Sequence, residues 1–163
     1  MYTTIPSTNQ SQKVIGDAYL RFQLDSQTPM LLPMNYAQEV VVVPAQKLTT
    51  MPNLPPCLLG LMNRRSRVLW LVDLASLVGL APLDGSVRQH NVVVVRAGLM
   101  SLGLAVQEVK GVVRFTKDLV QSLHGSIAPE IAPYLQGCIL QSSELMLILD
   151  AEAIVRSPLL HQH

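Results

Sequence analysis

Nearly every apolar run in this chain is the length of one β-strand, and none is long and periodic enough for an amphipathic helix of three turns. Tyr19 to Leu24, Met30 to Met34 and Val40 to Val43 read as strands, cut by Gln27, Thr28 and Pro29 and closed by Pro44. Leu61 to Asn63 and Val68 to Val72 flank the polar tip Arg64 to Arg67, which is a hairpin pattern. Val92 to Arg96 and Leu102 to Val106 surround Ala97-Gly98 and predict another hairpin. Val109 to Phe115, Cys138 to Leu140 and Leu145 to Leu149 complete the strands. Leu74 to Leu80 predicts about two helical turns with Asp73 as cap, and Asp150 to Val155 a short closing helix before Pro158. The expected class is all-β, barrel-like, with short helices.

An internal repeat narrows the architecture. Pro56-Cys57-Leu58-Leu59-Gly60 leads into a hairpin that ends at Asp73, and Pro133-Tyr134-Leu135-Gln136-Gly137 leads into one that ends at Asp150. The two copies lie 77 positions apart (150 − 73). Gln38-Glu39-Val40 is matched in the same way by Gln107-Glu108-Val109. Two matches in one order predict two similar β-lobes. Each alone would be too small for a secure core, so the lobes should pack together and leave an apolar groove where they meet.

Charge excludes several functions. The chain is 49% hydrophobic but only 14% charged, where an ordinary domain has roughly 25%. A net charge of +1, without basic clusters interleaved with aromatics, predicts no nucleic-acid partner. No run reaches the roughly 18 to 20 apolar residues of a spanning helix, so direct membrane insertion is not expected. The polar start MYTTIPSTNQSQK lacks the pattern of a signal peptide and reads as a disordered leader, over residues 1–17, of a cytoplasmic protein. Residues 157–163, with His161 and His163, read as a flexible tail.

Catalytic motifs are missing. There is no GxSxG, HExxH, P-loop or GxGxxG. Cys57 and Cys138 have no metal-ligand spacing and are expected as buried thiols, although a disulfide stays open. Asp73 and Asp150 are conceivable as a catalytic pair, but matching places in a repeat favour the same helix cap made twice. No cofactor, metal or enzymatic activity is expected.

From Ala18 to Val155 the order of features resembles the CheW-like chemotaxis coupling family. Gly60-Leu61-Met62-Asn63-Arg64-Arg65-Ser66-Arg67-Val68-Leu69-Trp70-Leu71-Val72-Asp73-Leu74 is similar to that family's signature, a Gly followed by an Asn-x-Arg-Gly turn and an apolar strand ending in Asp-Leu. Thr50-Met51-Pro52-Asn53-Leu54-Pro55 resembles the Leu-Pro segment before it. Asn91 to Val95, Leu102 to Val109 and Leu145 to Asp150 fall where the family has its second-lobe strands.

The resemblance implies two intertwined SH3-like five-stranded β-barrel lobes in one domain over residues 18–156. It also implies an adaptor without catalysis, which couples the cytoplasmic tip of a chemoreceptor to the regulatory domain of a chemotaxis-type histidine kinase, for flagellar or pilus-based motility. Arg65 takes the place of the signature Arg, implied to support receptor coupling, and Asn63 shapes the same turn. Three positions depart from the pattern: Ser66 replaces the turn Gly, Trp70 a usual Pro, and Gln107 a usual acidic residue. A turn that needs positive φ would be strained at Ser66, or would be of another type. A rival reading is a small-molecule-binding β-domain that uses the inter-lobe groove.

Overall fold

Two strand series follow one another along the chain. In the first, β1 (Asp17–Gln23) and β2 (Pro29–Pro33) form a hairpin, then come β3 (Ala37–Pro44), β4 (Leu58–Arg64) and β5 (Arg67–Asp73). The second repeats this plan with β6 (Gln89–Ala97), β7 (Met100–Val106), β8 (Glu108–Phe115), β9 (Leu135–Gln141) and β10 (Glu144–Leu149). Each series ends in a short helix, α1 (Leu74–Leu77) and α2 (Ala151–Val155). The structure is a computed structural model and describes residues 15–123, 125 and 127–161.

The strands make two five-stranded sheets, β8-β1-β2-β10-β9 and β3-β6-β7-β5-β4. Exchanging every strand for its counterpart turns one order into the other. Each series contributes its hairpin to one sheet and its last three strands to the other. The swap is sealed by parallel pairing of β2 with β10 and of β7 with β5, beside otherwise antiparallel ladders. Neither lobe can therefore form from one half of the chain. The expected all-β fold of two interleaved lobes is the fold observed, matched strand for strand.

The continuous apolar strands are explained by burial on both faces. On β6, Val92 and Val94 point into one lobe with Met62, Leu71 and Ala105. Val93 and Val95 point the other way, into a core shared by both sheets and both helices. β2 does the same from the opposite side. Leu31 enters the second lobe's interior with Tyr19, Ile139 and Ile148, while Met30 and Leu32 join the shared core. Trp70 is half-buried against that shared core.

The repeat-matched glycines mark where each sheet is crossed. Thr49 pairs with Leu61, and Gln121 pairs with Cys138. A Cβ on Gly60 would lie 2.7 Å from the Thr49 carbonyl oxygen, and one on Gly137 3.0 Å from that of Gln121. Gly60 also has φ of 147°, so a side chain there is excluded by backbone and by neighbour alike.

Some expectations change. The helix expected over Leu74–Leu80 stops at Leu77, because Gly79 takes φ of 88° and turns the chain away. The tail expected to be flexible over 157–163 is packed down as far as it is described. Pro158–His161 form a 3₁₀ turn, with Ser157 and Leu160 buried. A leader over 1–17 falls mostly outside the described residues, and Asp17 already belongs to β1. His124 and His163 also fall outside them.

Candidate functional site

The β4–β5 hairpin closes with Arg64 opposite Arg67, leaving Arg65 and Ser66 as a two-residue turn. Both are left-handed, at φ 53° and 65°, as a tight hairpin following the sheet's twist requires. Ser66 therefore keeps the positive-φ turn and bears its strain. The matching hairpin repeats the geometry at Ser142 and Ser143, φ 53° and 64°. The turn shape belongs to both lobes, whereas the arginines belong to one.

β3 supplies the counter-charge. Arg64 Nε and Nη2 donate to Glu39 Oε1 and Oε2, both at 2.9 Å, in a forked pair. Arg65 Nε lies 3.5 Å from Glu39 Oε2. The hydrogen bond from Arg64 holds the Glu39 carboxyl below the usual range and raises Arg64 in turn. One carboxylate thus faces two guanidinium groups, with Arg67 lining the same shallow depression of about 270 Å³. Arg64 is committed to Glu39, while the Arg65 side chain remains 76% exposed. The turn presents Arg65 outward at a fixed place, with donors to offer a carboxylate or helix-end carbonyl.

Of the two residues expected here from sequence, Arg65 sits at this cluster. Asn63 stands in the ladder opposite Val68, is exposed, and does not line the depression. The sequence marks Arg64 only as part of the hairpin's polar tip and gives no sign that Glu39 partners it. Glu39 was visible only as a member of the repeated Gln-Glu-Val, with nothing to connect it to a hairpin 25 residues on.

On the opposite face of β5 the surface is apolar. Val68 is 61% exposed, and farther along the same face Trp70 helps to wall a cavity of about 150 Å³ with Leu58, Met100, Leu102, Val155 and Leu160. Beside Met100, Leu99 is 90% exposed. Exposed apolar side chains next to a partly open cavity suit a partner's apolar side chains.

The other candidates are structural. Asp73 and Asp150 cap α1 and α2 through Ser76 N and Ala153 N. Cys57 and Cys138 are buried free thiols, and burial pushes the Cys57 thiol up. Among the described residues no cluster of His, Cys, Asp or Glu could hold a metal ion, and no helix is long and apolar enough to cross a membrane.

Three comparisons bear on this arrangement. A family model described as "CheW-like domain" matches residues 18–159. A relative named "Probable chemotaxis protein CheW", from Rhizobium etli, is 29% identical over 111 residues, covering 65% of this chain and 68% of that protein. The crystal structure of scaffolding protein TtCheW from Thermoanaerobacter tengcongensis is similar at a TM-score of 0.72 and 18% identity, over 83% of this chain and 89% of the other.

Proposed function

This chain belongs to the CheW-like family, whose members are non-catalytic scaffold proteins of chemotaxis, and from that premise we propose that it couples a chemoreceptor to a histidine kinase. The receptor contributes its cytoplasmic tip, and the kinase its regulatory domain. Residues 18–156 act as one coupling domain in the cytoplasm, serving flagellar or pilus-based motility.

The observation that carries this reading is Arg65, held outward by a left-handed turn and flanked by a neighbour already neutralised by Glu39. Placing an exposed guanidinium on a strained two-residue turn serves recognition better than stability. Asn63 acts by shaping the strand that enters the turn. The apolar face around Trp70 and Val68 supplies the contact area that a charged tip alone lacks.

A small-molecule site in the inter-lobe groove is less well supported. The cavity beside Trp70, about 150 Å³, is smaller than the roughly 300 Å³ at which ligand pockets begin, and the larger depression of about 370 Å³ lined by Leu54, Pro56, Cys57 and Leu159 is wide open to solvent and not an enclosed pocket. The deciding experiment titrates the purified chain against a receptor-tip fragment and against a kinase regulatory domain, separately and together. Coupling requires that both bind and form a ternary complex. Binding to neither overturns the reading.

A further inference from the structure

Glu39 is one carboxylate within reach of two guanidinium groups, and the two are held unequally. Arg64 follows Met62 by two residues on β4, so it continues the side of the strand that faces the lobe interior, where Met62 packs with Leu69 and Val94. It takes both oxygens of Glu39, donating from Nε and Nη2, each at 2.9 Å. Arg65 belongs to the turn and approaches more loosely, with Nε 3.5 Å from Oε2. The Glu39 side chain is only 19% exposed, so its charge needs a donor close by.

We propose that Arg64 is a positioning residue: by holding both oxygens of Glu39 it keeps Arg65 from folding back onto that carboxylate, and leaves the Arg65 guanidinium for a carboxylate of the chemoreceptor tip. This role rests on the coupling reading, with the receptor tip as the partner of Arg65.

The competition is close. Without Arg64, Oε2 is vacated, and Arg65 has only to shorten its approach from 3.5 Å to the 2.9 Å of the present bonds. A carboxylate on the same chain competes well with one on a partner, because it is tethered at high effective concentration. A guanidinium folded onto Glu39 has its charge offset and fewer donors to offer.

The other lobe shows that the fold itself does not call for this contact. Gln141 stands opposite Glu144 there, as Arg64 stands opposite Arg67. Glu108, the repeat counterpart of Glu39, pairs with Lys110 of its own strand at 3.1 Å. That hairpin is tied instead by Glu144 to Arg21 of β1, and its turn, Ser142-Ser143, has no guanidinium to release. The arginine that occupies the acid is found beside the turn that carries an arginine.

The test is a double-variant cycle on the full chain: Arg64→Gln, Glu39→Gln and the two combined, titrated against the receptor-tip fragment at fixed salt, with melting curves to establish folding. Arg64→Gln should bind about threefold to tenfold more weakly than wild type. Adding Glu39→Gln removes the carboxylate onto which Arg65 has folded, and should return affinity to within about twofold of wild type. The gain from Glu39→Gln should be larger in the Arg64→Gln background than with Arg64 present. Arg64→Lys keeps the charge but cannot fork onto both oxygens, so it should fall between, and it gives the same comparison if Arg64→Gln folds poorly. In the unbound proteins, exchange of the Arg65 Nε–H with water, followed by NMR, should be slower in Arg64→Gln than in wild type. Equal gains from Glu39→Gln in both backgrounds would trace the effect to net charge. That result, unchanged affinity of the folded Arg64 variants, or unaltered Arg65 exchange overturns the role of Arg64 alone, with wild type still binding. No binding of the receptor fragment by wild type overturns the coupling reading and this role together.

Discussion

Asp73 and Asp150 make the same two backbone connections in opposite lobes. Asp73 N donates to the Cys57 carbonyl at 2.7 Å and its carboxylate accepts from Ser76 N, while Asp150 N donates to the Tyr134 carbonyl at 2.8 Å and its carboxylate accepts from Ala153 N. Each aspartate therefore fixes a strand end, a helix start and the segment leading into its own hairpin. Asp73 has a further task, because its second oxygen accepts from Leu83 N at 3.0 Å and holds the loop after α1.

That difference sets the first prediction. Asp73→Ala should cost about 2 kcal/mol and Asp150→Ala about 1, since a lost cap costs about 0.5–2 and Asp73 also leaves a second donor unpaired. Urea denaturation midpoints of the two variants measure this. Equal costs would mean that the Leu83 bond contributes nothing.

A second prediction concerns the two serine turns. A non-glycine residue in left-handed backbone costs roughly 1–2 kcal/mol, partly offset by the greater freedom glycine has when unfolded. Ser66→Gly and Ser143→Gly should each stabilise the fold by about 0.5–1 kcal/mol, seen as raised melting temperatures. A lowered melting temperature for either would mean that the serine makes a compensating contact.

Glu39 gives a pH dependence. The Arg64 hydrogen bond lowers its folded pKa, so the unfolded chain takes up the proton first. Its contribution to stability is complete above the ordinary glutamate range and is lost as pH falls through the depressed folded value. Stability of wild type and Glu39→Gln, followed from about pH 7 to about pH 3, should differ at neutral pH and converge in acid. Parallel curves would remove the ion pair from the account.

Arg65→Glu should weaken partner binding about tenfold or more, equivalent to about 1.4 kcal/mol, while stability stays within about 0.5 kcal/mol. The new carboxylate would face Glu39 as well as the partner, so Arg65→Ala serves as the control for lost charge without repulsion. Titrations against receptor fragment and kinase domain, with melting curves alongside, separate the two effects. Unchanged affinity for both partners would make Arg65 a solvated loop residue.

Much of this fold was legible from residue order, because its rules are local. A strand buried on both faces has to read as an unbroken run such as Val92 to Val95, and a hairpin tip has to read as turn residues between two such runs. The Pro-to-Gly lead-ins and the caps at Asp73 and Asp150 were visible because each depends on neighbours within a few residues. The same holds for the positive-φ requirement at Ser66.

What the sequence alone determined, then, was the strand content, the two-lobe repeat, the aspartate caps and an arginine-bearing turn. Only the tertiary structure decided that β1–β2 pairs with β10 and β8 rather than with its own series, because backbone ladders look alike from any strand and the choice rests on the packing of both faces at once. It also decided that Glu39 meets Arg64, since β3 and the hairpin tip are brought together by the curl of a sheet and not by sequence spacing. Leu160 shows the limit most plainly. A leucine in a short polar tail has no period to reveal its burial, and its place beside Trp70 exists only once the two lobes have closed around the shared core.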